Sequence, residues 1–161
     1  MIRVGIGYDI HPLQPGLPLT LGGIRIPHEF GLTGHSDADV VLHALMDSVL
    51  GAAALGDIGV YFPPDDQRYA GASSLDLLEN VARLVRQAGW RIVNADTVVV
   101  AEAPRISPFA GAMQSAIAGR LGVTAGSISI KATTNEGLGP EGRGEAISAR
   151  CVCLIQSTDE P

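Results

Sequence analysis

Ala146-Ile147-Ser148-Ala149-Arg150-Cys151-Val152-Cys153-Leu154-Ile155 is the stretch on which the fold turns. On an extended chain Ile147, Ala149, Cys151, Cys153 and Ile155 share one side, and Ala146, Val152 and Leu154 lie on the other. A strand with apolar groups both ways belongs in the middle of a sheet whose two faces are covered. Helices of the same chain suffice for one face; the other points to a second subunit. Cys151 and Cys153 are the only cysteines, and neither neighbours a His or a second Cys pair. They read as core thiols of a cytoplasmic protein, not as a zinc knuckle or a disulfide.

Working back from that strand, Ile128 to Lys131 alternates, and Thr133 to Glu145 is a glycine-rich loop. Ser107-Pro108 is a cap with proline at the first helical position, and Phe109, Met113, Ile117 and Leu121 carry the apolar face to Gly122. Arg91 to Ala101 is β-branched on both faces and suits a central strand. Ser73-Ser74 caps a helix that ends at Gly89, with Glu79 and Arg83 as an exposed pair four residues apart. Ser36 caps an earlier helix running to about Leu55, on which Ser36, Asp39, His43 and Asp47 form a polar stripe about 80° wide. Leu19–Leu21 and Ile24–Ile26 flank Gly22-Gly23, the chemistry of a two-residue hairpin turn. Arg3 to Tyr8 is the first strand, delivering Asp9-Ile10-His11 before Pro12 stops it. The order predicts an α/β (α+β) fold: a mixed, mainly antiparallel sheet with helices packed on one face. Residues 1–156 form one domain and 157–161 a frayed tail.

The 161 residues are 46% hydrophobic and 17% charged, enough for one core that needs neither disulfide nor metal to fold. Any metal is therefore suspected of chemistry. A net charge of -6 argues against a nucleic-acid or anionic-membrane binder. No spanning helix or signal peptide is visible, which leads to a cytoplasmic expectation. Twenty glycines against 4% aromatics suggest loops that bring backbone close to a ligand.

Three groups of residues are placed to do chemistry. Asp9 and His11, two apart on a strand end, point the same way, and His43 from a helix can join them as three metal ligands with one position open. Asp39, one turn before His43, is a candidate to orient that ring or to compete as a ligand. The plainer alternative is a turn-forming Asp and a hydrogen-bonded helix His. His35-Ser36 before a helix N-terminus suits a phosphate, or merely a cap beside an exposed loop. Lys131 to Gly139 brings an ammonium, hydroxyls and Glu136 near flexible backbone, a set suited to phosphate with a hard divalent ion. Lys131 is the only lysine beside ten arginines, which suggests a compact ammonium is wanted there. Trp90 and His28 read as structural or surface groups.

Gly7-Tyr8-Asp9-Ile10-His11, Gly34-His35-Ser36-Asp37-Ala38-Asp39, Gly56-Asp57-Ile58-Gly59, Phe62-Pro63 and Lys131 to Glu136 together resemble the 2-C-methyl-D-erythritol 2,4-cyclodiphosphate synthase family of the non-mevalonate isoprenoid pathway. The resemblance spans nearly the whole chain. It implies a homotrimer with active sites between subunits, the trimer covering the second face of the sheet. It implies zinc on Asp9, His11 and His43, and Mg2+ or Mn2+ on Glu136. His35, Thr134 and Lys131 take catalytic roles, with Ser36 beside the substrate. Asp57, Ile58 and Gly59 with Phe62, Pro63, Pro64, Asp65 and Asp66 resemble the methylerythritol pocket. Ala101, Glu102, Ala103, Pro104, Arg105, Ile106 and Ser107, with Lys131, Thr133, Thr134 and Asn135, resemble a cytidine and phosphate pocket contributed across the interface. Arg143 and Glu145 resemble a charged closure of a cavity on the trimer axis, where relatives can lodge isoprenoid diphosphates. Ile6, Pro64, Asn135 and Pro140 depart from the family pattern, whereas the metal residues do not.

The implied reaction is intramolecular: a 2-phosphate attacks the β-phosphorus of a cytidine diphosphate, releasing CMP as a phosphorus–oxygen lyase does. Such a substrate carries its own nucleophile, so folding it is the main task. Two other readings stay open, a metal phosphohydrolase in which an open zinc activates water, and a non-enzymatic trimer that binds isoprenoid diphosphates.

Overall fold

The computed structural model describes residues 1–63, 65–69 and 71–158. In chain order its elements are β1 (Ile2–Pro15), β2 (Leu19–Leu21), β3 (Ile24–Ile26), β4 (Phe30–Leu32), α1 (Val40–Ala52), the single turn α2 (Ile58–Tyr61), α3 (Ser74–Gln87), β5 (Trp90–Val100), α4 (Ala110–Leu121), β6 (Ile128–Thr133), the turn α5 (Gly139–Gly142) and β7 (Ala146–Ser157). Five strands form one sheet in the order β4-β1-β7-β5-β6. Only β5 and β6 run parallel; the other pairs are antiparallel, as the mixed-sheet expectation requires. β2 and β3 make the separate hairpin, with Gly22 and Gly23 at φ +57° and +77°, the left-handed pair that its tight turn needs.

β7 is central. Its Ile147, Ala149, Cys151, Cys153 and Ile155 are buried against α1, while Val152 on the reverse side stands exposed. Opposite β7, Gly5 and Gly7 of β1 pair with Cys153 and Cys151 and face the same helix. A Cβ on Gly5 would lie 1.9 Å from the Ser48 carbonyl oxygen, and one on Gly7 2.0 Å from that of Ala44. These two glycines therefore seat a helix on the sheet. They do not serve a ligand loop, the role expected of the chain's glycines.

Several boundaries differ from the sequence expectation. Pro12 does not stop β1. Its missing N–H falls where β1 finishes pairing with β7, at Pro12 opposite Ala146, and begins pairing with β4, at Leu13 opposite Leu32. The first long helix starts at Val40 rather than Ser36 and ends at Ala52 rather than Leu55. Ala38 is left-handed at φ +55°, which breaks the helical path, and Asp39 takes the cap by accepting from the Val41 and Leu42 N–H groups. Ser73 sits at the start of α3 without using its hydroxyl as a cap. Glu79 pairs not with Arg83 but with Arg120 of α4 at 2.7 Å, and Arg83 donates to Asn80. Ser107–Phe109 is a tight 3-10 turn that leads into α4. Ser157 completes β7, and Thr158 donates its N–H to the Gly89 carbonyl at 2.8 Å, so neither is frayed. Residues 159–161 lie outside the described residues.

Candidate metal centre and the second cleft

Residues 5, 7, 9 and 11 alternate onto the helix side of β1, so the strand that presses its glycines against α1 also aims Asp9 and His11 at that helix. His43 of α1 meets them. Asp9 Oδ2 lies 3.1 Å from His11 Nε2 and 2.8 Å from His43 Nδ1, and one donor atom from each of the three residues falls within 4.8 Å of the others. Burial alone would raise the Asp9 pKa, but hydrogen bonds and charge from the two imidazoles outweigh it and hold the carboxyl well below the usual range. The Asp9 hydrogen bond raises the His11 pKa against the opposing effect of burial.

Two imidazole nitrogens and one carboxylate oxygen, drawn together at the wall of a cleft, are a three-ligand set suited to a metal ion. Asp39 has no part in it. Its carboxylate is fully buried and accepts from the N–H groups of Gly22, Gly23, Val41 and Leu42, tying the hairpin to the start of α1. Burial pushes its pKa up to about 6 despite those donors. The hydroxyls that reach His43 belong instead to Ser36 and Ser74, at 3.0 and 3.1 Å from Nε2.

A cleft of about 260 Å³ opens over the trio, lined also by His35, Ser36, Ile58, Gly59, Phe62, Tyr69 and Leu77. Asp57 stands just outside that lining and caps α2 by accepting from the Val60 N–H. Asp66 is ion-paired with Arg68, and its carbonyl lies 3.4 Å from His35 Nε2. Pro63 and Asp65 belong to the same loop but not to the wall, and Pro64 lies outside the described residues. Sequence reasoning missed three contributors. Tyr69 and Leu77 are wall residues that belong to no motif and follow no spacing that would mark them. Asp47, noted only as part of the stripe, accepts from the Ile58 N–H at 2.9 Å and ties the α2 turn to α1 one turn beyond His43.

A second cleft of about 270 Å³ is lined by Ala101, Glu102, Pro104, Arg105, Ile106, Ser107, Ala132, Thr133 and Thr134. Glu102 Oε1 accepts from the N–H groups of Asn135 and Gly137, which fixes the loop after β6. Within that loop Thr134 Oγ1 donates to Glu136 Oε1 at 3.0 Å, and Glu136 itself is left-handed at φ +51°. Lys131 is not in this lining; it pairs with Asp96 on β5. Arg143 and Glu145 form a two-point ion pair with each other, at 2.9 and 2.8 Å. Among the described residues the two clefts share no lining residue. β1 and β6 are three strand spacings apart, about 14 Å. Within one chain Glu136 and Thr134 are thus not brought to the Asp9–His11–His43 trio.

The model of the YgbB family matches residues 2–156. A 2-C-methyl-D-erythritol 2,4-cyclodiphosphate synthase of Moorella thermoacetica is 58% identical over 154 residues, covering 96% of this chain and 94% of that protein. One from Thermosynechococcus vestitus is 58% identical over 97% of both chains. Among solved structures, the bifunctional IspDF of Campylobacter jejuni superposes with a TM-score of 0.94 at 39% identity, 98% of this chain covering 42% of that longer one. IspF of Plasmodium falciparum, solved as a CDP complex, gives 0.86 at 33% identity and covers 98% and 97% of the two chains.

Proposed function

The chain belongs to the YgbB family, and from that premise we infer that it converts 4-diphosphocytidyl-2-C-methyl-D-erythritol 2-phosphate to 2-C-methyl-D-erythritol 2,4-cyclodiphosphate and CMP in isoprenoid biosynthesis. The observation that carries the reading is the convergence of Asp9, His11 and His43 at the wall of one cleft, in a chain that aligns along nearly the full length of named synthases. By chemistry the enzyme is a phosphorus–oxygen lyase. An oxygen of the 2-phosphate attacks the β-phosphorus, the bond from that phosphorus to the bridging oxygen breaks, and its electron pair leaves with CMP.

Asp9, His11 and His43 hold zinc, and Glu136 holds Mg2+ or Mn2+. The bound cations supply Lewis acidity to phosphoryl oxygens. The protein's own residues do the rest. Ile58, Gly59 and Phe62 receive the methylerythritol skeleton, in a loop that Asp47 anchors and Asp57 caps. The wall of Ala101, Glu102 and Pro104 to Ser107, with Thr133 and Thr134, receives the cytidine diphosphate; that the Plasmodium falciparum relative was solved as a CDP complex supports a cytidine nucleotide as the ligand. His35 and Ser36 approach the 2-phosphate, Thr134 donates a hydrogen bond to the diphosphate, and Lys131, on turning from Asp96, offsets its charge. Folding the substrate so that nucleophile and leaving group align recovers several kcal/mol of barrier as effective molarity, roughly.

The separation of the two clefts within one chain supports an active site assembled between subunits of a homotrimer. Arg143 and Glu145 then lie toward its axis, where an isoprenoid diphosphate can lodge.

The test is turnover of the cytidylated substrate with and without chelator. CMP and the cyclic diphosphate, free of solvent oxygen and lost on chelation, are expected. Solvent oxygen in the product favours a phosphohydrolase. No turnover with tight prenyl-diphosphate binding favours the non-enzymatic trimer.

A further inference from the structure

His43 has two ring nitrogens and, when neutral, one proton to place. If the proton sits on Nδ1, the ring donates to Asp9 and has no lone pair for a metal there; if it sits on Nε2, Nδ1 is free to ligate. Two hydroxyls reach Nε2, and only one has its direction fixed. Ser74 is fully buried at the start of α3. Its Oγ donates to Asp37 Oδ1 at 2.5 Å, and its backbone N–H donates to Asp37 Oδ2 at 2.9 Å. A carboxylate accepts only, so the single Ser74 hydroxyl proton is committed to Asp37. Toward His43 Nε2, at 3.1 Å, Ser74 can only accept.

We propose that, once a metal ion replaces the hydrogen bond between His43 Nδ1 and Asp9, Asp37 and Ser74 act as positioning residues that hold His43 as the Nε2–H tautomer and thereby aim its Nδ1 lone pair at the metal position between Asp9 and His11. The proposal rests on the metal reading above and adds a device three residues deep. The relay runs from His43 of α1 to Ser74 of α3 to Asp37 in the loop before α1, so it also fixes how α3 stands against the metal ligand. Ser36, whose Oγ lies 3.0 Å from the same nitrogen, can accept or donate and does not set the direction by itself.

The decisive variant is Asp37→Asn, which keeps the shape and reverses the polarity. The Ser74 backbone N–H still needs an acceptor, so the new amide presents its oxygen there and its NH2 to Ser74 Oγ. The hydroxyl proton must then turn to His43 Nε2, driving the ring proton onto Nδ1. Ser74→Ala removes the relay without reversing it. The readout is zinc affinity of the full chain, by competition with a chromophoric chelator, alongside the 15N signals of the His43 ring in the zinc-loaded parent. Parent protein is expected to bind zinc with the ring proton on Nε2, Asp37→Asn to bind it 10–100-fold more weakly, and Ser74→Ala to be weakened in the same direction. Zinc affinity of both variants within threefold of the parent, or zinc on Nε2 with the proton on Nδ1, overturns the proposal alone. A parent that takes up no zinc overturns the metal reading and the proposal with it.

Discussion

At the scale of single residues, protons and metal contend for the same atoms. The Asp9 hydrogen bond raises the His11 pKa above 6.5, so in metal-free protein that pair contributes stability fully present below pH 6.5 and lost as pH rises through the higher folded value. Zinc requires the same ring deprotonated. Zinc affinity is therefore expected to start falling above pH 6.5 as pH is lowered, by about tenfold per pH unit for this one proton. Chelator competition between pH 5.5 and 8.5 checks this, and a flat profile would refute it. Glu136→Gln tests the other ion: Mg2+-dependent turnover is expected to fall while zinc content stays at the parent level, and unchanged magnesium dependence removes Glu136 from its assigned role. The pairing of Asp9 with His11 was legible in the sequence, because a carboxylate and imidazole two apart on a strand end must share a side; His43, a candidate from a helix, was joined to them by the resemblance. The role of Asp39 was not legible. Helical spacing placed it beside His43, but left-handed Ala38 makes it a cap, and four backbone donors claim its carboxylate.

At the scale of elements, what matters is how close α1 comes to β1, since Asp9 and His11 ride on the strand and His43 on the helix. Gly7→Ala would put a Cβ 2.0 Å from the Ala44 carbonyl oxygen and force the two apart. The expected cost is about 1–3 kcal/mol, together with a loss of zinc affinity as the ligand atoms separate. Gly51→Ala on the same helix meets nothing within 4 Å, and is expected to be neutral or stabilising by about 0.5–1 kcal/mol. Thermal melts and zinc titrations of the two variants make the comparison, and a Gly7→Ala protein with parental zinc affinity would show that the close approach is not what assembles the trio. The periodicity of β1, β5, β6, β7, α1, α3 and α4 was readable in advance, and so was the Gly22-Gly23 turn, because both follow from local geometry; the short β4, α2 and α5 carry too few residues for a period and were not. The short distance from β1 to α1 was not, since a glycine that admits a helix and one that admits a ligand look alike in a sequence.

At the scale of the whole molecule, the sheet presents an uncovered apolar face. Ile6 is 72% exposed and Val4 64%, with Ile2, Tyr8 and Val152 beside them. Contiguous apolar surface of this kind marks an interface. If subunits pack there to form the trimer, Ile6→Glu is expected to shift the protein from trimer to monomer in sedimentation, to leave its circular dichroism unchanged and to abolish turnover. A fully trimeric, active Ile6→Glu protein would exclude this face as the interface. The sequence by itself determined the mixed sheet and its helical cover and marked Asp9, His11 and His43 as a trio that could converge, because side-chain periodicity and residue chemistry are local properties of the chain. Tertiary structure alone decided which hydroxyls reach His43, where Asp39 belongs and that Thr134 and Glu136 stand apart from Asp9 within one subunit. Those facts depend on strand order and on the distance between packed backbones, which neighbours in sequence do not encode.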